Sequence, residues 1–315
     1  MIAKTGKEDR GVTLIELMIV LVIAAILVGG IYTLFMTQQR SYSVQDQVAG
    51  AQQDARAALN IMARDIRMAG SLLGSEGFDV NGAQFAVTPN NNAGGTDSIT
   101  VAHAAEEFIS GGNPVTVTNV DVTARKVTLS ATTDTDPLFF DLEKKKYLTF
   151  EGKDQVYEIY NGTGTATLTL TESPPSYIEN VGTKVYRAKS ITYLVQDNAL
   201  RRRENGGDAQ PLAGDGITTV VEDLQFAYQV EGSDTWIFDP NPAHTWPAGS
   251  TNADIRMVRI NITVRTAVQD AAVQDAAPSA QFNQPELEDH TAGLNGPDGF
   301  RRRVYTTEVK VRNLK

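Results

Sequence analysis

The chain contains no cysteine in 315 residues. This excludes a disulfide framework, a thiolate metal site and a cysteine nucleophile. Histidine is nearly absent too. His103, His244 and His290 are far apart and lack ligand-like neighbours, so no histidine metal centre is expected. No arrangement of Ser, His and an acid stands out, and no glycine-rich phosphate loop follows a strand and opens a helix. The expectation is a protein that is not an enzyme and carries no cofactor. Positive charge is scarce: 28 Lys and Arg stand against 38 Asp and Glu, for a formal charge of −10. A nucleic-acid surface would be basic, so nucleic acid is not an expected partner.

What the chain does have is one long apolar run, from Val12 to Met36. Its length, about 25 residues, suffices to span a bilayer. Lys4, Lys7 and Arg10 precede it, and Arg40 alone lies close behind it. The positive-inside rule then places the first residues in the cytoplasm and the bulk of the chain across the membrane. An ordinary secretory signal has a shorter apolar stretch, with a small-residue cleavage site after it.

A single carboxylate, Glu16, interrupts this run, and no basic residue inside the run can pair with it. An ionised group at the centre of a membrane helix costs roughly 2.5–3.5 kcal/mol on insertion scales and is by default functional. A cut after Gly11 would give Val12 a new α-amine, a counter-charge for Glu16 in the same chain or in a neighbour.

The run passes into an amphipathic pattern. Val44, Val48, Ala51, Ala55, Leu59, Met62 and Ile66 recur at three- and four-residue steps and share one face. Gly70 is a stop signal. One helix from about Val12 to about Ala69 would be nearly 90 Å long at 1.5 Å per residue. Its first half is apolar all round and its second half needs a cover, which predicts a lollipop-shaped subunit. Gly29-Gly30 inside the stem marks either close helix packing or a soft spot, since Gly costs about 1 kcal/mol relative to Ala in a helix.

From Ser71 onward glycines punctuate short runs that alternate apolar with polar residues, such as Val115–Val122, Ala166–Thr171 and Lys184–Tyr193. Longer runs follow at Val220–Val230, Met257–Val264 and Val304–Val311. These predict antiparallel sheet. Residues 269–299, with Pro278, Pro285 and Pro297, read as a long exposed excursion between two strands. The Asn90–Thr96 loop with Asp97 offers oxygen ligands for Ca²⁺ but has no EF-hand spacing; such loops are usually just solvated. The triplets Arg201–Arg203 and Arg301–Arg303 alternate across a sheet, so neither makes one continuous patch, and paired, solvated edges are expected. Trp236 and Trp246, among prolines, read as loop anchors.

The stretch Gly11-Val12-Thr13-Leu14-Ile15-Glu16-Leu17 resembles the amino terminus of type IV prepilins and of type II secretion pseudopilins. In that class a membrane peptidase cuts after the glycine and methylates the new terminus. The resemblance implies cleavage after Gly11, N-methylation of Val12 and an assembly role for Glu16, the fifth residue after the cut. Val12 stands where the class usually has Phe or Met.

Three segments of the head, Ser190–Val195 followed by Ala199–Arg202, Val220–Tyr228 and Arg301–Asn313, are similar to the PilW-like minor pilins and the related J-type minor pseudopilin; so is Arg64–Gly70 at the helix end. The resemblance implies an α+β pilin-like fold, a long amino-terminal helix on an antiparallel β head. It also implies a leader over 1–11, a membrane half of the helix over 12–36, an amphipathic half over 37–70, and a periplasmic head over 71–315. The implied partners are the prepilin peptidase, other minor pilins, the major pilin and an inner-membrane assembly platform. The implied role is priming at or near a filament tip. A type II secretion pseudopilin, or a pilus-borne adhesin or DNA-binding subunit, remains the alternative.

Overall fold

A computed structural model of the chain describes residues 12–92, 94–110, 112–131, 146–152, 155–162, 166–174, 182–215, 219–238, 246–270, 282–283, 285–288 and 297–313. The expected leader with Gly11, together with His244 and His290, lies outside them. The expected helix runs from Leu14 to Met68. The chain divides within this helix into two compact units, residues 1–47 and 48–315.

In the first unit every residue from 12 to 35 is exposed, including Leu14, Ile26 and Phe35. The helix is long and apolar enough to cross a membrane. Two of its hydroxyls turn inward on the backbone. The Thr33 hydroxyl donates to the Gly30 carbonyl at 2.8 Å and that of Thr37 to the Thr33 carbonyl at 2.9 Å, so neither hydroxyl needs water. Gly29 and Gly30 remain helical. No atom lies within 4 Å of where a Cβ would stand on either, so the pair serves no packing among the described residues of this chain.

In the second unit the helix buries Ala51, Ala55, Ala58, Leu59, Met62, Ala63, Asp65 and Ile66. Five of the seven expected stripe residues are among them. Val44, in the first unit, and Val48 are only half-buried; closed packing begins at Ala51. The many alanines bring strand and helix backbones close. The helix stops at Gly70, whose φ of 74° is left-handed and suits a residue without a Cβ. Its amide then donates to the Ala102 carbonyl at 2.9 Å.

Two antiparallel sheets cover this face. Among the described residues the larger has ten strands, centred on Val185–Gln196, its longest. One edge of that strand pairs with Ser98–Glu107; the other pairs with Tyr147–Phe150 and, further along, with Ala199–Glu204. The smaller sheet has Thr219–Val230, Ile255–Thr266 and Arg302–Lys310 in that order. Residues of both sheets, among them Ile191, Tyr193, Leu224, Phe226, Ile260 and Ile262, close one core over the helix. A second core, around Phe150, Tyr157, Leu168 and Leu170, lies among the outer strands of the large sheet and includes no helix residue.

The sequence-predicted strands are present with ends shifted by a few residues. The shorter strands Glu76–Val80, Ala83–Phe85, Val87–Asn90 and Gln210–Ala213 were not expected, because glycine and polar residues crowd those segments. Between Thr266 and Arg302 no strand occurs among the described residues; most of the excursion expected over 269–299 lies outside them. Its described parts are held to the head. Phe282 bridges to Asp298, and Glu288 takes Arg259 at 2.8 Å and Asn261 at 2.5 Å.

Candidate assembly site

Thr13 and Glu16 close a capping box at the start of the helix. Glu16 Oε2 accepts from the Thr13 amide at 2.9 Å and from its hydroxyl at 2.9 Å, while the Glu16 amide donates to Thr13 Oγ1 at 3.3 Å. The first amides of a helix have no partners within it, and a Thr with a Glu three residues on satisfies them reciprocally. The spacing Thr-x-x-Glu before an apolar run is itself a signal for this arrangement; it was legible and was missed by reading Glu16 only as a charge. No cation among the described residues pairs with Glu16. The carboxylate therefore sits at the foot of an exposed apolar surface, held only by its own helix start. Val12 is exposed beside it. Gly11, the expected cleavage residue, lies outside the described residues.

The second feature is an acid on the buried helix face. Asp65 is 1% exposed. Its Oδ2 accepts from the Tyr193 hydroxyl at 2.6 Å and from Arg202 Nε at 3.3 Å; Arg64 reaches Oδ1 at 3.3 Å. The chain of charges continues into the large sheet. Arg202 pairs with Glu204, Glu204 with Arg187, and Glu106 with Lys189. Burial, then Asp65, holds the Tyr193 phenol far above its ordinary value. Burial disfavours the charge on Arg202, but Tyr193 and Asp65 outweigh it and the guanidinium is held more tightly protonated. His103, beside this network, is pushed down to about 4 by burial and by Lys189. Periodicity gave no hint of Asp65, since a buried carboxylate breaks the apolar pattern that defines the stripe.

The arginine triplets are split by the sheet, as alternation predicts, but they are not simply solvated edges. Arg302 is 4% exposed at its side chain and lies between Glu222, at 2.6 Å, and Asp298, at 2.6 Å. Arg201 instead caps Asp197 at 3.2 Å, and Arg301 takes Asp270 at 2.6 Å. Burial is the reason for the difference, because a cation out of water must be paired.

In the Asn90–Thr96 loop Asn90, Asn92 and Gly94 are exposed, while the Asp97 that follows is turned inward. Asp97 is 2% exposed and accepts from the amides of Asn92, at 2.9 Å, and Phe226, at 3.1 Å. Its oxygens serve the backbone. Among the described residues no group of three or more His, Cys, Asp or Glu is placed to hold a metal ion. The tryptophans act as anchors. Arg259 lies over the Trp236 ring at 4.3 Å, and Trp246 meets Tyr228 edge-on at 6.4 Å.

Two family models match the chain. One, described as the prokaryotic N-terminal methylation motif, covers residues 6–32. The other, described as type IV pilus-assembly protein W, covers residues 184–313. No curated protein matches the chain. Among solved structures it is similar to the type IV-like pilin TTHA1219 from Thermus thermophilus, at 13% identity over 84% of this chain and 97% of that chain, with a TM-score of 0.40. The methylation motif and the exposed apolar helix point to membrane anchoring, and a pilus-assembly region implies contact with other pilus components. Together the two models support a type IV minor pilin, the class that the sequence resembles.

Proposed function

We propose that the chain is a non-enzymatic minor pilin, inserted in the inner membrane with its head in the periplasm, which joins a filament at or near the tip and primes its assembly. A peptidase removes residues 1–11 after Gly11, and Val12 becomes a methylated terminus. Glu16 then meets the α-amine of an adjacent subunit as the apolar helix leaves lipid. Other minor pilins, the major pilin and the assembly platform are its partners.

The observation that carries this reading is a solitary carboxylate on the exposed apolar stretch 12–35 of the helix, with no cation of its own among the described residues. A pair formed in low dielectric is favourable only when good geometry offsets desolvation. An amine beside Glu16 supplies both charge and donors. The test is the intact mass of membrane-extracted protein from cells with an active peptidase. A chain beginning at Val12 with one added methyl is expected, and Gly11→Ala should block processing where Val12→Phe does not. An intact Met1 terminus would remove the assignment.

A further inference from the structure

Most guanidinium groups of the head already hold a carboxylate, as do those of Arg202, Arg259, Arg265, Arg301 and Arg302. Arg56 and Arg303 are among those that do not. Both are exposed, and neither pairs with a carboxylate among the described residues, in a chain with 38 acids against 28 bases.

The two sit at one edge of the head. Arg302–Lys310 is the outer strand of the smaller sheet and pairs on one side only among the described residues. Residues directly opposite in an antiparallel pair share a face. Arg303 opposes Val264 and Tyr305 opposes Ile262, and both of those belong to the core that the helix covers. Arg303 and Tyr305 therefore stand on the helix side of the open edge. A small cleft lies there, lined by Val48 and Ala51 of the helix and by Val264, Arg265, Arg303 and Tyr305 of the sheet. The Tyr305 hydroxyl is enclosed and has no hydrogen-bond partner. Arg303 lines the cleft itself, and Arg56 follows Ala51 of its lining by five residues, about 7.5 Å along the helix. Burial pushes the Tyr305 phenol up, while the positive charges of Arg303 and Arg56 act against that shift. Two cations thus flank this side of the open edge with no carboxylate to hold among the described residues.

We propose that this edge docks an extended acidic segment of a neighbouring subunit, with its backbone along Arg302–Lys310 and one carboxylate between Arg56 and Arg303. The proposal rests on the assembly reading above for the identity of the neighbour. An open strand edge offers main-chain hydrogen bonds to an added strand, and a side-chain pocket beside it supplies selectivity. The two guanidinium groups at the surface beside it select a carboxylate because guanidinium–carboxylate bonds are among the strong, charge-assisted ones. The open backbone favours a protein segment over a free anion, since only a strand uses both halves of the site.

The test uses the full-length chain in detergent micelles and a fluorescent, acetylated (Glu-Val)4 peptide, followed by anisotropy. A (Lys-Val)4 peptide, inorganic phosphate and a single-stranded oligothymidine serve as comparison probes. Saturable, salt-sensitive binding of the acidic peptide is expected. It should weaken about tenfold in Arg303→Gln and in Arg56→Gln, as loss of a charged hydrogen-bonding partner implies. Lys126→Gln, on a strand of the larger sheet, should bind as wild type. Arg56→Gln lies on the exposed side of the helix, so it keeps the test decisive if a strand variant unfolds. Unchanged peptide binding in Arg56→Gln overturns the proposal. So does tighter binding of phosphate or oligothymidine than of the peptide. Self-association of Arg303→Gln without loss of peptide binding would also overturn it, because the arginines would then only guard the edge. A Met1 terminus in cells would defeat the assembly reading and leave peptide binding in place; a processed chain without peptide binding would do the reverse.

Discussion

The Tyr193 hydroxyl donates to the Asp65 carboxylate at 2.6 Å, joining helix to sheet across 128 positions of sequence. Asp65 is 1% exposed and shares the same oxygen with Arg202. Asp65→Ala should lower unfolding stability by about 3 kcal/mol, since removing one partner leaves the other charge uncompensated. Asp65→Asn keeps the shape and an acceptor and should cost less. Denaturant unfolding of the full chain in detergent measures both. Wild-type stability in the alanine variant would show that the network contributes nothing.

His103 gives the head a pH dependence of definite sign. Burial first and Lys189 second lower it from 6.5 to about 4, with Arg202 adding to the shift and Asp65 and Glu106 opposing it. Between those values the unfolded chain binds a proton that the folded chain does not. The stabilisation is therefore complete above about pH 6.5 and is lost as pH falls toward 4, with a limiting slope of about 1.4 kcal/mol per pH unit. Urea midpoints measured from pH 7 to 4 should fall in wild type and flatten in His103→Gln. Parallel curves for the two proteins would assign the loss to other groups.

Glu16→Gln separates charge from capping. Glutamine can close the same box on Thr13, so insertion and processing should persist. Crosslinking through the apolar helix to other minor pilins should fall, while crosslinking through the head survives. Glu16→Ala loses both functions and should also fray the helix start. Undiminished helix crosslinking in the glutamine variant would mean that the negative charge is not used in docking.

Deleting residues 1–40 should leave a soluble, β-rich protein with a modest helical signal by circular dichroism. Starting instead after Gly70 removes Ala51 to Ile66 from the main core and exposes the apolar sheet face they cover, so that piece should aggregate. Comparable solubility of the two fragments would show that the helix is dispensable to the head.

Periodicity was a good guide wherever one face was apolar and unbroken. It located the stripe from Ala51 to Ile66 and the long strands Val185–Gln196, Thr219–Val230 and Ile255–Thr266. It failed where polar residues were buried. Asp65 carries no signal in the apolar pattern, and Tyr193 and Arg202 approach it from strands more than a hundred residues away. Arg302 reads as an edge cation, yet Glu222 and Asp298 enclose it from two different segments. Such pairings depend on sheet register, which single-sequence patterning does not specify. At the amino terminus the apolar run, the lone Glu16 and the family motif were all legible. The Thr13–Glu16 box was equally local and was overlooked because the charge drew attention from the hydroxyl three residues before it.

Asp65 also works as a mechanical index. The rest of the buried helix face is alanine, leucine, methionine and isoleucine, a surface that by itself offers little resistance to sliding. A slip of one turn, about 5.4 Å, would bring Ile61 or Ala69 opposite Tyr193 and Arg202 and carry the carboxylate into apolar surroundings. The helix can therefore bear a pull along its axis at one setting only. The carboxylate thus fixes the axial setting of the helix against the sheet, which its apolar neighbours alone would leave open.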